Sequence, residues 1–267
     1  KIFKIIKKYK KKIIFHLAAS LDVNESMTNP SKYYLNNVVG TENLIKKASK
    51  ENLIKKIIFS STCAVYGEIN KKYVNENHPC NPVSHYGKSK LLSEIILKNF
   101  AQKYNFSVAI LRYFNVIGAD HKLRSGIVNE SNQLVKKLNR NLINNKFKID
   151  VYGNDYNTKD GTCIRDYIDV NDLSKIHLDV MKNLKKKQIV TLNCGYKIGY
   201  SVNEIITNFE NCSGFIIRKI VKKRRLGDIE SIISDNKKLN KFIEKKYIGN
   251  LKKSLISSIN WEKKIKL

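Results

Sequence analysis

The most constraining feature of this sequence is the alternation of short apolar runs with longer amphipathic segments in its first half. Apolar runs at 12–16, 56–61 and 107–113 are separated by segments of helical periodicity at 31–50 and 85–104. Short apolar runs are typical of strands buried on both faces, and amphipathic segments of this length suit the crossovers between parallel strands. This order predicts an α/β fold built on a parallel sheet with right-handed connections.

The second half of the chain has a less regular pattern. A capping-box signature, Ser201 with Glu204, marks the start of one helix. The predicted helices lie at 126–142, 171–184 and 201–212, the predicted strands at 189–193 and 215–221, and two short helices are expected near the end. This half is therefore expected to form a smaller α+β lobe.

The charge balance is strongly basic, but it does not predict a nucleic-acid surface. The formal net charge is +28, from 51 Lys and Arg against 23 Asp and Glu, and only seven of the 51 are arginine. The lysines are spread along the chain, whereas nucleic-acid-binding proteins concentrate basic side chains on one face, often with aromatic side chains. We interpret them as solvated surface and expect no nucleic-acid partner.

Neither membrane insertion nor a metal site is expected from the sequence. It contains no apolar run of about 20 residues, the length that a membrane-spanning helix needs. The five cysteines are odd in number and show no CxxC spacing, and the histidines show no HExxH pattern. Reduced thiols in a cytoplasmic protein are the simplest interpretation.

No glycine-rich turn of the GxGxxG or GxxGxxG type occurs in the sequence. Such a turn opens a doubly wound dinucleotide-binding fold, where it receives the pyrophosphate at a helix N-terminus. Either the fold is of another kind, or these residues begin after that motif. The fold class we predict is an incomplete doubly wound (Rossmann) parallel sheet followed by the smaller C-terminal α+β lobe.

Tyr86 and Lys90 form a pair of side chains suited to acid–base chemistry. At i and i+4 they share one face of the helix predicted at 85–104. An ammonium beside a phenol favours the phenolate, which can act as a general base. On spacing alone, an ordinary exposed pair is the simpler explanation. Thr62 adds context, because it follows the predicted strand at 56–61, at the strand end where open α/β sheets bind ligands.

This order of strand, hydroxyl residue, loop and Tyr-x-x-x-Lys helix resembles the extended short-chain dehydrogenase/reductase superfamily. Similar stretches cover nearly the whole chain: HLAA from His16, YYLNNVVGT from Tyr33 and RYFNVIGA from Arg112. The run YGNDYNTKDGTCIRDYIDV at 152–170 resembles the UDP-glucose 4-epimerases, within the NAD-dependent epimerase/dehydratase family. The Arg224-Arg225 pair before Gly227 and Asp228 resembles that family's diphosphate and ribose clamp.

The resemblance implies an isomerase that interconverts UDP-glucose and UDP-galactose through a transient 4-keto sugar and bound NAD, in galactose metabolism. It implies that Tyr86 takes the O4 proton, Thr62 hydrogen-bonds O4, and Lys90 lowers the pKa of Tyr86 and holds the nicotinamide ribose. The implied NAD contacts are Leu17, Ala18, Ala19, Asn37, Thr62, Tyr86, Lys90, Tyr113 and Phe114. The implied UDP-sugar contacts are Thr62, Tyr86, Asn115, Gln133, Leu134, Asp150, Tyr152, Arg165, Arg225, Asp228 and Ile232.

The resemblance also implies a domain organisation and an assembly. Residues 1–116, with the strand near 189–193, would form the remainder of the NAD-binding domain, and residues 117–267 mainly the UDP-sugar lobe. A homodimer is implied, formed by the helices at 31–50 and 85–104, with Leu44, Ala48, Ile96 and Phe100 at their interface edges. Because the family's glycine-rich N-terminal segment is not among the 267 residues, we expect these residues alone to be poorly soluble and not to bind NAD.

Three departures from the family pattern are visible. Leu21 stands where some epimerases carry a phosphate-binding lysine, Thr62 replaces a serine, and Ile232 stands where some members carry a bulky tyrosine beside the C2 substituent of the sugar. The alternatives are a related UDP-N-acetylhexosamine or UDP-uronate 4-epimerase, and an inactive remnant or basic binding protein. Salt-dependent RNA retention would favour the last; an absorbance change of bound NAD on adding a UDP-sugar would favour an enzyme.

Overall fold

The fold is described from a computed structural model, which defines residues 8, 12–50, 53–69, 71–129, 132–225 and 227–266. Within them the strands are β1 (Ile13–His16), β2 (Lys56–Thr62), β3 (Ser107–Tyr113), β4 (Asn115–Ile117), β5 (Lys148–Tyr152), β6 (Ile164–Asp169), β7 (Ile189–Cys194), β8 (Gly199–Ser201), β9 (Arg218–Lys222) and β10 (Ser231–Ile232). The α-helices are α1 (Val23–Thr28), α2 (Pro30–Tyr33), α3 (Gly40–Lys50), α4 (His85–Tyr104), α5 (Leu134–Ile143), α6 (Val170–Asn183), α7 (Val202–Ser213), α8 (Lys237–Ile243) and α9 (Leu251–Lys266).

The main sheet is parallel, with the strand order β1-β2-β3-β7. The inner strands β2 and β3 are buried along nearly their whole length, which explains their continuous apolar runs, whereas Ile13 and Phe15 of β1 are 40% and 37% exposed. Ile57 and Phe59 of β2 share one core cluster with Ile45 of α3 and Leu97 of α4. On the opposite face, Ile58 joins residues of α6 and α8. The predicted parallel α/β sheet is confirmed, including the strand expected near 189–193.

The second half of the chain forms two smaller sheets. The strands β10, β6 and β4 are parallel to their neighbours, with β8 antiparallel to β6, and β5 pairs with β9 in parallel. Apolar side chains of α5, α7 and α9 share one cluster, which includes Leu138, Phe209 and Ile259. Among the described residues, no helix has the length and apolar character to cross a membrane.

Three predicted boundaries are wrong. The helix predicted at 126–142 begins only at Leu134, because the Ile127 carbonyl instead accepts hydrogen bonds from Trp261 Nε1 (3.1 Å) and Lys136 Nζ (2.9 Å). The strand predicted at 215–221 is displaced to β9, since the Ile217 amide is held by the Glu210 side chain at the end of α7. The last helix, α9, has 16 residues and is not short.

The buried face of α4 differs from the predicted one. The sequence suggests an apolar stripe of Leu91, Leu92, Ile95, Ile96 and Phe100, yet Leu92 and Ile95 are 41% and 45% exposed. The buried residues of α4 are mostly polar or small: Tyr86, Gly87, Ser89, Lys90, Ser93, Glu94, Leu97 and Ala101. Polar groups therefore lie between this helix and the sheet, at the level of the predicted site.

The helix predicted at 31–50 is continuous but not uniform. A π-helical segment, Tyr34–Val39, joins α2 to α3. Such segments are rare and often lie at functional sites. Here the segment contains Asn37, which is 2% exposed, and the Asn37 carbonyl accepts a hydrogen bond from the Thr41 hydroxyl at 2.6 Å.

Candidate active site

The candidate site lies at the carboxyl edge of the main sheet. Residues Thr62, Tyr113 and Cys194 are register partners at the ends of β2, β3 and β7, whereas His16 ends β1 in register with Phe59. This is the edge at which open parallel sheets bind ligands. The predicted position of Thr62 at a strand end is confirmed.

A close helix approach brings Tyr86 to Thr62. The Ser84 hydroxyl caps α4 by accepting a hydrogen bond from the Gly87 amide at 3.1 Å. A Cβ atom at Gly87 would lie 2.6 Å from the Ala64 carbonyl oxygen, so only glycine allows the helix to sit this close to the turn after β2. In this arrangement the Thr62 hydroxyl lies close enough to the Tyr86 phenol to lower its pKa against the effect of burial.

Tyr86 lies in a strongly desolvated environment. Burial raises the pKa of Tyr86 to about 12, and the Thr62 hydroxyl offsets this only in part. The Lys90 ammonium lies over the Phe59 ring, 4.2 Å from its centroid. Lowering of the Tyr86 pKa by Lys90 stays a prediction.

Lys90 is nearly inaccessible, at 2% exposure. Burial lowers its pKa to about 8, opposed by the negative charge of Glu94. Beside it, burial and the Lys90 charge lower the pKa of His16 to about 4, so this imidazole is neutral at pH 7. The His16 Nε2 atom and the Thr41 hydroxyl share a hydrogen bond of 2.8 Å.

The segment after β1 presents Leu17, Ala18 and Ala19 at the edge, with Leu17 57% exposed. Asn37 supports this segment from below. Its amide accepts from the Ser20 backbone at 2.8 Å, and donates to the Ser20 carbonyl at 3.1 Å and to Ser89 at 3.0 Å. The Asn37 amide thus joins this segment to α4; its contact with a cofactor stays a prediction.

The side chains at the end of β3 and directly after it have different surroundings. The Tyr113 hydroxyl shares a 2.5 Å hydrogen bond with His177, away from the strand edge. Phe114 is buried in a small cluster with Tyr66 and Ile232. Asn115 is half-buried on β4. The predicted ligand contacts of Tyr113, Phe114, Asn115 and Ile232 stay predictions.

The predicted UDP contacts lie in the second half of the chain. Arg165 on β6 is 3.8 Å from Asp228, and the Arg225 guanidinium lies over the Tyr152 ring at 3.7 Å. The Asp228 amide donates to the Arg225 carbonyl at 3.2 Å, which closes the turn between them. The structure thus brings together Tyr152, Arg165, Arg225 and Asp228.

The remaining three predicted contacts are placed separately. Gln133 is the N-cap of α5, followed by half-buried Leu134, and Asp150 is exposed on β5. Nearby, the Asn132 amide donates to Asp22 at 2.8 Å, which links this segment to the N-cap of α1. Sequence reasoning missed Asp22, since nothing in the motifs distinguishes it from other helix caps.

Sequence reasoning also missed Glu94, which is completely buried beside the site. A signal was available, because Tyr86, Lys90 and Glu94 recur at i, i+4 and i+8 and therefore share one helix face. Among the described residues, no group of three or more His, Cys, Asp or Glu side chains is placed to hold a metal ion.

Comparisons with known proteins agree with this geometry. The model of the NAD dependent epimerase/dehydratase family matches residues 1–195. The chain belongs to this family. It is 35% identical to the UDP-glucose 4-epimerase of Halalkalibacterium halodurans over 254 residues, which are 94% of this chain and 75% of that protein. It is 34% identical to UDP-arabinose 4-epimerase 1 of Arabidopsis thaliana, covering 94% of this chain and 61% of that protein.

A solved structure of this epimerase/dehydratase family has the same fold. The crystal structure of UDP-glucose 4-epimerase from Bifidobacterium longum in complex with NAD⁺ and UDP aligns with a TM-score of 0.92 at 33% identity. The alignment covers 98% of this chain and 79% of that one. The Rossmann-like α/β fold and the isomerase class expected from the sequence are thereby confirmed.

The residues at the strand edge fit the family's cofactor, NAD. Among the described hydrogen bonds, none involves the Lys90 ammonium, although this residue is almost fully buried. A buried ammonium with unused N–H donors suits ribose hydroxyls, which are good acceptors. The exposed side chains of Leu17 and Ala18 leave room above the strand ends. Lys90 and this segment are therefore suitable for the nicotinamide side of the cofactor.

Proposed function

We propose that this protein interconverts UDP-glucose and UDP-galactose by inverting the sugar at C4 through a 4-keto intermediate. The observation that carries the proposal is the buried set of Thr62, Tyr86 and Lys90 at the carboxyl edge of the sheet. Its relatives of the same family, which include a UDP-glucose 4-epimerase, support it.

In the proposed reaction, Tyr86 accepts and returns the proton of the sugar O4. The Thr62 hydroxyl hydrogen-bonds O4 and orients it toward the phenol. NAD, held by Lys90 and the segment Leu17–Ala19, supplies the hydride-transfer chemistry at C4. Because Tyr86 has a pKa of about 12 here, its phenol is a proton donor at neutral pH until an additional positive charge favours its ionised form.

The proposed substrate anchor is the cluster of Arg165, Arg225 and Asp228 in the second lobe. Guanidinium groups bind phosphate oxygens in a bidentate manner, and a carboxylate accepts hydrogen bonds from ribose hydroxyls. The anchor would hold UDP while the hexose turns over between the two hydride-transfer steps. Hydride can return to either face of C4 only if the hexose is free to turn. This requires a tight site for the nucleotide that is separate from a permissive site for the hexose.

The test is turnover by the purified full-length protein loaded with NAD, compared with its Tyr86→Phe variant. Phenylalanine keeps the ring that packs edge-on against Tyr33 at 6.4 Å, so the fold is retained. Loss of the general base should slow turnover by about 10²-fold or more. UDP affinity, measured by calorimetry, should stay within twofold, because the phenol does not anchor the nucleotide. Turnover within a factor of two of the parent would refute the assignment.

A related 4-epimerase of UDP-N-acetylhexosamines, UDP-uronates or UDP-pentoses is the second candidate. The UDP-arabinose 4-epimerase relative supports this breadth. Ile232, proposed to face the C2 substituent, is small compared with tyrosine. Comparing kcat/KM for UDP-glucose, UDP-N-acetylglucosamine, UDP-glucuronate and UDP-arabinose distinguishes the candidates.

We also propose a homodimer formed by α4 and the segment of α2, the π-helix and α3. The predicted interface edge at Ala48 is wrong, since this side chain is fully buried in the protein's own core, and Leu44 and Phe100 pack against the same cluster. The exposed apolar side chains on these helices are instead Leu35, Val39, Leu92 and Ile95.

A cytoplasmic location is proposed because all five cysteines are free thiols.

A further inference from the structure

A buried ion pair lies directly behind the candidate site. Glu94 on α4 and Arg112 on β3 make two hydrogen bonds, from Nε to Oε1 at 3.0 Å and from Nη2 to Oε2 at 2.7 Å. Their side chains are 0% and 4% exposed. The proposed mechanism assigns no role to either residue, although Arg112 begins the RYFN stretch.

The pair joins three elements of the site. The Ser61 hydroxyl donates to Glu94 Oε1 at 2.5 Å, and Ser61 directly precedes Thr62 on β2. Ser61 and Arg112 are register partners on neighbouring strands. Glu94 therefore connects the end of β2, which carries Thr62, to the helix that carries Tyr86.

Glu94 also supplies the charge that faces Lys90. Lys90 lies one turn before Glu94 on the same helix face, and the Glu94 charge raises the pKa of Lys90 against the effect of burial. The other groups around Lys90 are the Phe59 ring on β2, His16 on β1 and Tyr86 on its own helix. His16 and Tyr86 are both neutral at pH 7, since their pKa values are about 4 and about 12.

Arg112 in turn holds the Glu94 side chain in place. Its planar guanidinium binds both oxygens of the Glu94 carboxyl group, which fixes their orientation. The guanidinium also packs over the Tyr66 ring at 4.7 Å, and the Tyr66 hydroxyl donates to Asn193 on β7 at 2.6 Å. The Glu94 side chain is thus part of a network of hydrogen bonds and ring contacts that includes residues of β2, β3 and β7.

We propose that the Glu94–Arg112 pair is a positioning element of the active site, which fixes Thr62 against Tyr86 through Ser61 and presents the Glu94 side chain to Lys90, one helical turn away. The inference rests on the proposed function for the roles of Thr62, Tyr86 and Lys90. Replacing buried ion pairs with apolar residues of similar volume is often tolerated by a fold, so the pair need not be retained for stability. Glu94 lies one helical turn from Lys90, and this position is consistent with a role of the pair in the active site.

The experiment measures the titration of Lys90 by NMR in protein labelled with ¹³Cε-lysine, with the resonance assigned by its loss in Lys90→Arg. The variants are Glu94→Gln and the double variant Glu94→Leu with Arg112→Met. The double variant removes both charges of the pair together and carries the test if Glu94→Gln does not fold. In both, the pKa of Lys90 should fall by about one unit, a tenfold change in its protonation equilibrium.

The matched control is a second buried ion pair within the described residues, Lys136–Glu262, at 2.7 Å with side chains 5% and 10% exposed. Its double variant, Lys136→Met with Glu262→Leu, should leave the Lys90 titration unchanged. An equal Lys90 pKa in all variants, within 0.2 units, would overturn the proposal. This readout needs no turnover, so failure of the proposed epimerase reaction would not be mistaken for failure of this inference.

Discussion

Replacement of Arg225 by alanine tests the proposed diphosphate anchor most directly. The Arg225 guanidinium lies over the Tyr152 ring at 3.7 Å, and within the described residues no carboxylate lies at ion-pair distance from it. Its neighbour Arg224 is already engaged, with Asp155 at 2.8 Å and the Tyr156 ring at 4.1 Å. Arg225 is therefore the arginine of this pair that is available to a phosphate.

The size of the effect follows from the loss of a charged hydrogen bond to phosphate, worth about 1.5–3 kcal/mol. At about 1.4 kcal/mol per tenfold change in affinity, UDP binding should weaken roughly 10- to 150-fold. The contact between Arg225 and Tyr152 does not alter this figure if it persists with UDP bound, because it then contributes equally to both states. UDP and UDP-glucose should weaken alike, since the anchor contacts the part that they share.

Calorimetric titration with UDP at low and at moderate salt measures this effect. Arg224→Ala is the matched control, because it removes the same charge from the adjacent position and an exposed ion pair worth little to stability. The control should change UDP affinity by less than threefold. Unchanged affinity in Arg225→Ala, or equal weakening in both variants, would show that the pair is only a solvated basic turn.

Three further outcomes are expected. His16 has a pKa of about 4 in the folded state against 6.5 in the unfolded chain, so its contribution is present above pH 6.5 and falls by about 2 kcal/mol between pH 6.5 and pH 5. Urea unfolding at these two pH values should show this loss, and His16→Gln should reduce it. Leu97→Ala should lower the free energy of unfolding by about 2–5 kcal/mol, because Leu97 is fully buried in the sheet–helix core. Leu92→Glu should convert the proposed dimer to a monomer in light scattering without loss of secondary structure, whereas a monomeric parent would contradict the dimer.

The inner strands β2 and β3 of the main sheet could be predicted because their burial on both faces leaves a continuous apolar run. Thr62 and the Tyr86–Lys90 pair could be placed near each other for the same reason, since strand ends and following helices have fixed positions in such sheets. The buried side of α4 could not be predicted from apolar periodicity. There, Ser89, Ser93 and Glu94 are buried with hydrogen bonds and an ion pair, and these depend on distant partners such as Asn37 and Arg112.

Other failures have equally specific causes. The helix expected from Gly126 does not begin there, because the Ile127 carbonyl accepts a hydrogen bond from Trp261. Trp261 belongs to α9, which lies more than 100 residues further along the chain. Spacing gives the helix face that Lys90 shares with Tyr86, but not the position of its ammonium, which lies over the Phe59 ring. Local pattern thus gives the elements, while long-range polar contacts decide which of their faces are buried.

The π-helical segment Tyr34–Val39 makes the site sensitive to the number of residues in this segment, as well as to which side chains they carry. Each residue of an α-helix turns the chain by about 100°, so deleting one residue here, which would restore regular α-helix, would rotate Asn37 relative to the helix that follows. The Asn37 amide would then lose either Ser20 or Ser89, its partners on opposite sides. Homologous chains that lack this one-residue expansion would have to hold the segment after β1 by another means.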